Sequence, residues 1–259
     1  MKIKFFKYQA TGNDFVIVDN RPGSIHLTID QIRRICDRKF GVGADGLMLI
    51  ENDASSDFNL VYYNSDGSQS LCGNGSRAAV MFASFIGIVN GQSSFNAYDG
   101  VHDAEILGDG RVRLRMKDVD KIKRIGEDFF IDTGSPHYIH VVGSLESFPV
   151  VERGRAIRYS PDFQPRGTNV NFIALQNDNT ISVRTYERGV ENETLSCGTG
   201  VTAAALAASF LGYTSPVKIN TPGGDLSVAF EKATGQGGAF TDIFLIGPAK
   251  MVFEGELEL

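Results

Sequence analysis

Cysteine is scarce in this chain: Cys36, Cys72 and Cys197 are the three present in 259 residues. An odd and sparse count argues against a disulfide framework. No Cys-x-x-Cys pair occurs, so no structural zinc site is expected. Long apolar runs are missing too. The opening MKIKFFKYQATGNDF has no stretch suited to a signal peptide. The longest candidate span, around Cys197 to Tyr213, is interrupted by Ser, Thr and Gly and is too short for a membrane. Nowhere does a run of Lys and Arg alternate with aromatics, and the net charge is -6, so nucleic acid is not an expected partner. Low-complexity segments and long linkers are absent. The expectation is a soluble, cytoplasmic protein, built as one large domain or two ordinary ones. For the cysteines, only packing or reactivity remains.

The periodicities predict many strands and few helices. Residues 2–8 and 14–19 read as strands around a Gly12-Asn13 turn. Thr28, with Gln31 three residues on, forms a capping-box pattern; Ile32, Ile35 and Cys36 share a face of the helix it opens, and Gly41 is its expected stop. Leu47–Glu51 and Phe58–Asn64 read as strands, and a helix is expected from just after Cys72 to about Asn90. Strand pairs follow at 105–107 with 111–116, 169–176 with 181–187, and 217–221 with 226–230. Another helix is expected from Cys197 to about Leu211, then strands at 242–246 and near Met251. Short turns joining many strands describe an α+β fold of antiparallel or mixed sheet, not a βαβ ladder.

One internal echo bears on function. Cys72-Gly-Asn-Gly-Ser-Arg-Ala-Ala and Cys197-Gly-Thr-Gly-Val-Thr-Ala-Ala agree at five of eight positions, each just before an Ala-rich helix. The copies lie in different halves of the chain, which suggests two pseudo-equivalent domains. A helix N-terminus carries unpaired N–H groups and about half a positive charge. Flanking glycines let a ligand approach the backbone, so an α-carboxylate could dock there. The same field lowers the pKa of a cysteine. Two such turns supply what inversion at an amino-acid Cα needs. One thiolate takes the proton from one face, the other thiol returns one to the opposite face, and the helix ends stabilise the carbanion. Neither metal nor pyridoxal phosphate is required. A lone cysteine before a helix is usually a packing residue; the duplicated turn favours chemistry for Cys72 and Cys197. Cys36, on an apolar face without a glycine turn, keeps the packing reading.

The chain resembles the diaminopimelate epimerase family. The resemblance rests on Gly12-Asn13-Asp14-Phe15, Gly41-Val42-Gly43-Ala44-Asp45-Gly46, Asn64-Ser65-Asp66-Gly67, the two cysteine turns, Gly134-Ser135-Pro136-His137, Asn169-Val170-Asn171-Phe172 and Tyr186-Glu187-Arg188-Gly189. Each motif is weak alone, but all stand in the family's order. The resemblance implies two pseudo-symmetric domains, each a sheet wrapped around a central helix, with the active site in the cleft between them. The first would span about 1–117 with 247–259 and carry Cys72; the second would span 118–246 and carry Cys197. It implies that Cys72 and Cys197 are the catalytic bases, and that Asn13, Asn64, Asn169 and Arg188 bind substrate. Gly73 and Asn74, with Gly198 and Thr199, would hold the reacting α-carboxylate. His137 and Glu187 would tune the cysteines or contact the reacting amino group. The implied activity interconverts LL- and meso-diaminopimelate, a precursor of lysine and peptidoglycan, with no cofactor and no metal. The expected partner is a small amino acid; no nucleic acid or membrane is expected, and a homodimer is left open.

Two positions depart from some family members, which carry Asn at Ser135 and Gln at Gly46; both bear on strictness for diaminopimelate rather than on the reaction. Gly41-Val-Gly-Ala-Asp-Gly46 fits a dinucleotide pattern, yet it follows a helix and precedes a strand, the reverse of a nucleotide-binding turn. A second reading is a racemase or epimerase of proline, hydroxyproline or histidine. Proline-racemase relatives tend to carry His where Asn74 stands, and they need no anchor like Arg188 for a far carboxylate. A third is a non-catalytic amino-acid binder or an isomerase of the phenazine-biosynthesis branch, expected to lack one or both cysteines.

Overall fold

In the computed structural model, which describes residues 2–233 and 238–259, the chain divides into two compact units. One comprises Met1–Leu114 with Gly247–Leu259, the other Arg115–Ile246. The chain thus leaves the first unit, builds the second and returns.

The first unit opens with the hairpin Lys2–Ala10 and Asn13–Asp19. Its turn residues are Thr11 and Gly12, both left-handed (φ 48° and 83°), so the turn falls one residue earlier than Gly12-Asn13 and Asn13 already begins a strand. Helix α1, Ile29–Cys36, carries the chain over to Gly46–Glu51, parallel to Asn13–Asp19. Its capping box is formed in both directions: Gln31 N–H donates to Thr28 Oγ1 at 3.3 Å and Thr28 N–H to Gln31 Oε1 at 2.9 Å. The helix stops at Cys36, five residues before Gly41. Asp37 Oδ1 takes the N–H groups of Lys39 and Phe40 and turns the chain; Val42, Gly43 and Ala44 then donate to the open carbonyls of Ile35 and Cys36. Cys36 itself is buried among Ile3, Phe5, Ile32 and Leu47, and burial pushes its thiol up to about 11.

Phe58–Asn64 pairs antiparallel with Gly46–Glu51, and α2, Gly73–Phe85, crosses to Gln92–Ala97, which runs parallel to Phe58–Asn64. The helix is shorter than an Asn90 stop would make it. Gly87, left-handed at φ 77°, ends it by donating to Ser84 O, while Ile88 N–H reaches Ala83 O; the pair of bonds is a Schellman motif. Gly100–Ile106 and Val112–Arg115 extend the sheet, and Lys250–Glu258 pairs antiparallel with Lys2–Ala10.

The second unit repeats this order. Lys123–Ile125 and Asp128–Asp132 lead into Pro136–Val142. Helix α3, Val150–Arg158, crosses to Asn169–Leu175, parallel to Pro136–Val142. Thr180–Glu187 follows antiparallel, with the short Asn192–Thr194 at its edge, and α4, Gly198–Ala208, crosses to Val217–Thr221, parallel to Thr180–Glu187. Gly224–Lys232 and Phe240–Gly247 close the order. Each unit therefore has two parallel crossovers, through α1 and α2 or through α3 and α4: an α+β fold with internal pseudo-symmetry.

In each unit the second crossover helix is central. Helix α2 packs on Lys2–Ala10, Asn13–Asp19, Phe58–Asn64 and Gly100–Ile106; α4 packs on Pro136–Val142, Asn169–Leu175, Thr180–Glu187, Val217–Thr221 and Gly224–Lys232. Residues Ala203–Ala208 of α4 are fully buried. A helix enclosed on all sides needs apolar residues all round, which explains Ala-rich sequences without a polar face. Among the described residues, no helix is long and apolar enough to cross a membrane.

Candidate active site

Cys72 and Cys197 occupy the same structural position. Cys72 is the N-cap of α2 with φ, ψ of -127°, 111°; Cys197 is the N-cap of α4 with -122°, 114°. Gly73 and Asn74, and Gly198 and Thr199, form the first turns of those helices.

In the first unit, Cys72 Sγ accepts the Gly75 N–H at 3.4 Å and lies 3.5 Å from Asn13 Oδ1, to which the thiol can donate. Asn74 Nδ2 reaches the same Asn13 oxygen at 3.5 Å. The Asn13 amide is oriented from behind: its Nδ2 donates to Asp45 Oδ2 at 2.5 Å. Asp45 in turn accepts from Arg38 at 2.7 Å, and Arg38 grips Asp14 with two bonds of 3.0 and 2.7 Å. Lys7, buried, pairs with Asp14 at 2.7 Å and donates to Gly43 O. Burial alone would raise the Asp14 carboxyl; hydrogen bonds and charge from Arg38 and Lys7 overcome it and bring the value down to about 2. A fixed network of charges thus sets which way Asn13 faces. Asp14, Arg38 and Lys7 had no assigned role in the sequence reading. Lys7 and Asp14, like Arg38 and Asp45, are only seven residues apart, but Arg38 and Asp14 are 24 apart, and no local pattern joins the four into one network.

Asn64 ends its strand opposite Gly46 and is tied into the next turn, donating to Ser68 Oγ at 3.0 Å and Ser70 Oγ at 3.2 Å. Gly46 has no room for a side chain. A Cβ there would lie 2.6 Å from the Tyr62 ring and 2.7 Å from its hydroxyl. Tyr62 occupies the space that the first side-chain carbon of any larger residue at this position would enter. Burial, with the neighbouring Cys72 thiol to which it hydrogen-bonds, pushes the Tyr62 hydroxyl far above an ordinary phenol.

In the second unit, the hydrogen bonds have a readable direction. Thr185 Oγ1 donates to Asn171 Oδ1 at 2.9 Å, so the Asn171 amide nitrogen faces His137 Nδ1, 3.0 Å away. Nδ1 must accept, which places the ring proton on Nε2. Nε2 lies 2.9 Å from Thr199 Oγ1 and donates to it. The Thr199 hydroxyl then has its own proton to offer Cys197 Sγ at 3.5 Å. His137 is fully buried, and desolvation, aided by the Arg188 charge, brings it down to about 3, so it is neutral at working pH. Gly200 is required by this packing, because a Cβ would sit 2.4 Å from Asn171 Oδ1.

Asn169 spends its amide on the protein. Nδ2 donates to Ser135 Oγ at 2.9 Å and Pro136 O at 3.1 Å, and Oδ1 accepts the Arg188 N–H at 2.8 Å. It therefore positions the Glu187-Arg188 corner, and Ser135 is part of that hold. The half-buried Arg188 guanidinium donates to Arg166 O at 3.3 Å. Glu187 Oε2 accepts from Thr194 Oγ1 at 2.9 Å. The structure thus joins Cys72, Asn13 and Asn74 in one group, and Cys197, Thr199 and His137 in another, with Asn169 and Arg188 adjoining each other. Asn64 is bonded to Ser68 and Ser70 and, among the described residues, not to these groups. Asn171 and Thr185 also orient the second group; Asn171 stands inside a quoted motif, so its signal was present. Among the described residues, no cluster of three or more His, Cys, Asp or Glu could hold a metal ion.

The sequence profile of diaminopimelate epimerases matches residues 5–122 and 129–252. The chain is 46% identical over 259 residues to the diaminopimelate epimerase of Flavobacterium psychrophilum, covering 97% of this chain and 99% of that one. It is 41% identical over 261 residues to that of Chlorobaculum tepidum, covering 96% and 99%. Among solved structures it is similar to a PhzF-family phenazine biosynthesis protein of Bacillus anthracis (TM-score 0.79, 16% identity, all of both chains). It is also similar to a hydroxyproline epimerase of Agrobacterium vitis (TM-score 0.71, 14% identity, 100% of this chain and 93% of that one). At such identities these two structures speak for the fold alone.

Proposed function

The chain belongs to the diaminopimelate epimerase family, and from that premise we propose that it inverts the substrate Cα with two thiols, Cys72 and Cys197, without cofactor or metal. The enzyme is an isomerase, and its reaction is the epimerisation of diaminopimelate between the LL and meso forms. The observation that supports the two-thiol reading is the shared geometry of the cysteines: both cap the central helix of their unit, with backbone angles within 5° of each other.

Inversion requires that an acid–base group reach each face of one Cα. In this reading one thiolate removes the proton, and the developing charge spreads onto the α-carboxylate. Helix N-termini at Gly73-Asn74 and Gly198-Thr199 stabilise that charge with N–H groups already oriented. The second thiol delivers a proton to the opposite face, and the roles exchange in the reverse direction. On the Cys197 side, neutral His137 holds Thr199 and adds no charge. On the Cys72 side, Asn13 and Asn74 present amides to the substrate. Arg188 grips the distal carboxylate, a task suited to a planar fork of donors. Asn64 and Glu187 contact the substrate's polar groups, and Asn169 keeps Arg188 in place. Thiols that must stay reduced suit a cytoplasmic location.

The test is turnover without additives. Purified enzyme dialysed against chelator and showing no pyridoxal absorbance is expected to interconvert LL- and meso-diaminopimelate. Activity lost on chelation and restored by a divalent metal would falsify the cofactor-free reading. Turnover of proline would sink the substrate assignment if diaminopimelate were untouched.

A further inference from the structure

Arg188 is the first residue after the strand Thr180–Glu187, in the turn that leads to Asn192–Thr194. That turn closes on Glu191, whose N–H donates to Glu187 O at 2.8 Å. Glu191 is left-handed at φ 57°, a conformation that is costly for a residue with a Cβ. Its own side chain holds it there. Oε1 accepts the Gly189 N–H at 3.0 Å, across the turn. Oε2 accepts the hydroxyls of Tyr186 and Tyr159, each at 3.0 Å. One carboxylate thus ties the turn to the strand before it, through Tyr186, and to the end of α3, through Tyr159.

Arg158, the last residue of α3, meets the same carboxylate: its Nη2 lies 3.2 Å from Glu191 Oε1, and its side chain is 13% exposed. The Arg158 guanidinium also fills the space over Gly167, where a Cβ would lie 1.5 Å from Nη1 and 2.3 Å from Cζ. Gly167 is left-handed at φ 64° and donates to Phe163 O at 2.6 Å. The residue before it is Arg166, whose carbonyl accepts from the Arg188 guanidinium at 3.3 Å. Arg158 therefore touches both segments that place Arg188: the turn that carries it, through Glu191, and the loop on which its side chain rests. A partly exposed ion pair adds little to stability, and a left-handed glutamate subtracts from it. A strained turn held in this way points to function rather than to stability.

We propose that Arg158 and Glu191 are positioning residues that fix the reach of the Arg188 guanidinium, which rests on Arg188 being the anchor of the distal carboxylate. A fork of two parallel bonds tolerates little misplacement, because both must form in one plane. Arg188 is secured at two points, its N–H on Asn169 Oδ1 at 2.8 Å and its Nη1 on Arg166 O. Asn169 governs the first. Arg158 and Glu191 govern the curvature of the turn beyond Arg188 and the placement of the Arg166 carbonyl. With that pair loosened, the guanidinium samples several positions, and the freedom is lost again when the substrate binds. The effect falls on binding and leaves the proton transfers alone.

Steady-state kinetics with LL- and meso-diaminopimelate compare the wild type, Glu191→Gly, Arg188→Ala and the double variant. Glycine suits a left-handed backbone, so Glu191→Gly leaves the conformation of the turn accessible and removes the side-chain bonds. Its KM should rise about tenfold, with kcat within about threefold of the wild type. At subsaturating substrate, Arg188→Ala and the double variant should share one kcat/KM, because no guanidinium is left to position. A folded Glu191→Gly protein with wild-type KM overturns the proposal. So does a fall in kcat as large as the rise in KM, or an undiminished further loss when Glu191→Gly is added to Arg188→Ala. Should Glu191→Gly not fold, Arg158→Gln takes its place and is judged by the same three results. The anchor reading of Arg188 fails on a different result, a wild-type KM in Arg188→Ala alone.

Discussion

The amide nitrogen of Asn171 lies 3.0 Å from His137 Nδ1, and that contact makes the imidazole a one-way donor toward Thr199. Ring nitrogen chemical shifts of His137 should show the Nε2–H tautomer and no titration between pH 8 and 5. The sign of the stability effect follows. A histidine held down to about 3 when folded, against 6.5 ordinarily, binds its proton more readily in the unfolded chain. Its contribution to stability is present above pH 6.5 and is lost on acidification, by at most about 1.4 kcal/mol per pH unit. Titration of this ring near 6.5 would show the assignment to be wrong.

The paired thiols predict a division of labour. Cys72→Ala and Cys197→Ala should each abolish epimerisation, since inversion needs both faces. Each folded variant should still exchange the Cα proton of the stereoisomer presented to its remaining thiolate, taking deuterium from heavy water on the same face. Cys36→Ala, altered in the core, should turn over normally. Chiral analysis with deuterium counting checks this. Near-wild-type epimerisation by either single variant at position 72 or 197 makes two-thiol chemistry untenable.

Gly46 and Tyr62 should behave as a coupled pair. Gly46→Ala brings a Cβ to 2.6 Å from the Tyr62 ring and should cost about 1–3 kcal/mol. In a Tyr62→Leu background the penalty should shrink but not vanish, because Tyr63 O is also 2.7 Å away. Urea midpoints of the four proteins give the coupling energy, expected to be at least about 0.5 kcal/mol. Strict additivity would mean that the tyrosine does not occupy that space.

Arg188 is predicted to act on binding more than on turnover. Lysine keeps the charge but loses the planar fork, so Arg188→Lys should raise KM for diaminopimelate by about 10–100-fold, with a smaller change in kcat. Steady-state kinetics with both stereoisomers measures the split. An unchanged KM would remove Arg188 as the anchor of the distal carboxylate.

The central helices were legible because a glycine-flanked cysteine before an Ala-rich run is a local signal, and local signals survive in a sequence. Helix α3 was not legible. Its segment carries Gly154 in the middle, which reads as a breaker, but that glycine is there so that Tyr186 can pack against the backbone; a Cβ would lie 2.4 Å from the Tyr186 Cβ. The α1 stop was misplaced because Asp37 turns the chain before the conspicuous glycines at 41 and 43. At the site, the cysteines and first-turn residues could be found from repetition alone. Lys7, Arg38 and Tyr62 could not, since their roles depend on strand register and loop geometry that no local pattern fixes.

The strand Lys250–Glu258 pairs along nearly the whole of Lys2–Ala10, from Lys2 with Glu258 to Gln9 with Lys250. During synthesis, that strand leaves the ribosome after every residue of the second unit. The half of the protein made first is therefore completed last. Until then, one edge of Lys2–Ala10 lacks the strand that belongs beside it, an open template for mispairing. The nascent enzyme thus matures from its later-made half, and the Cys72 helix gains its full enclosure only when translation has passed residue 258.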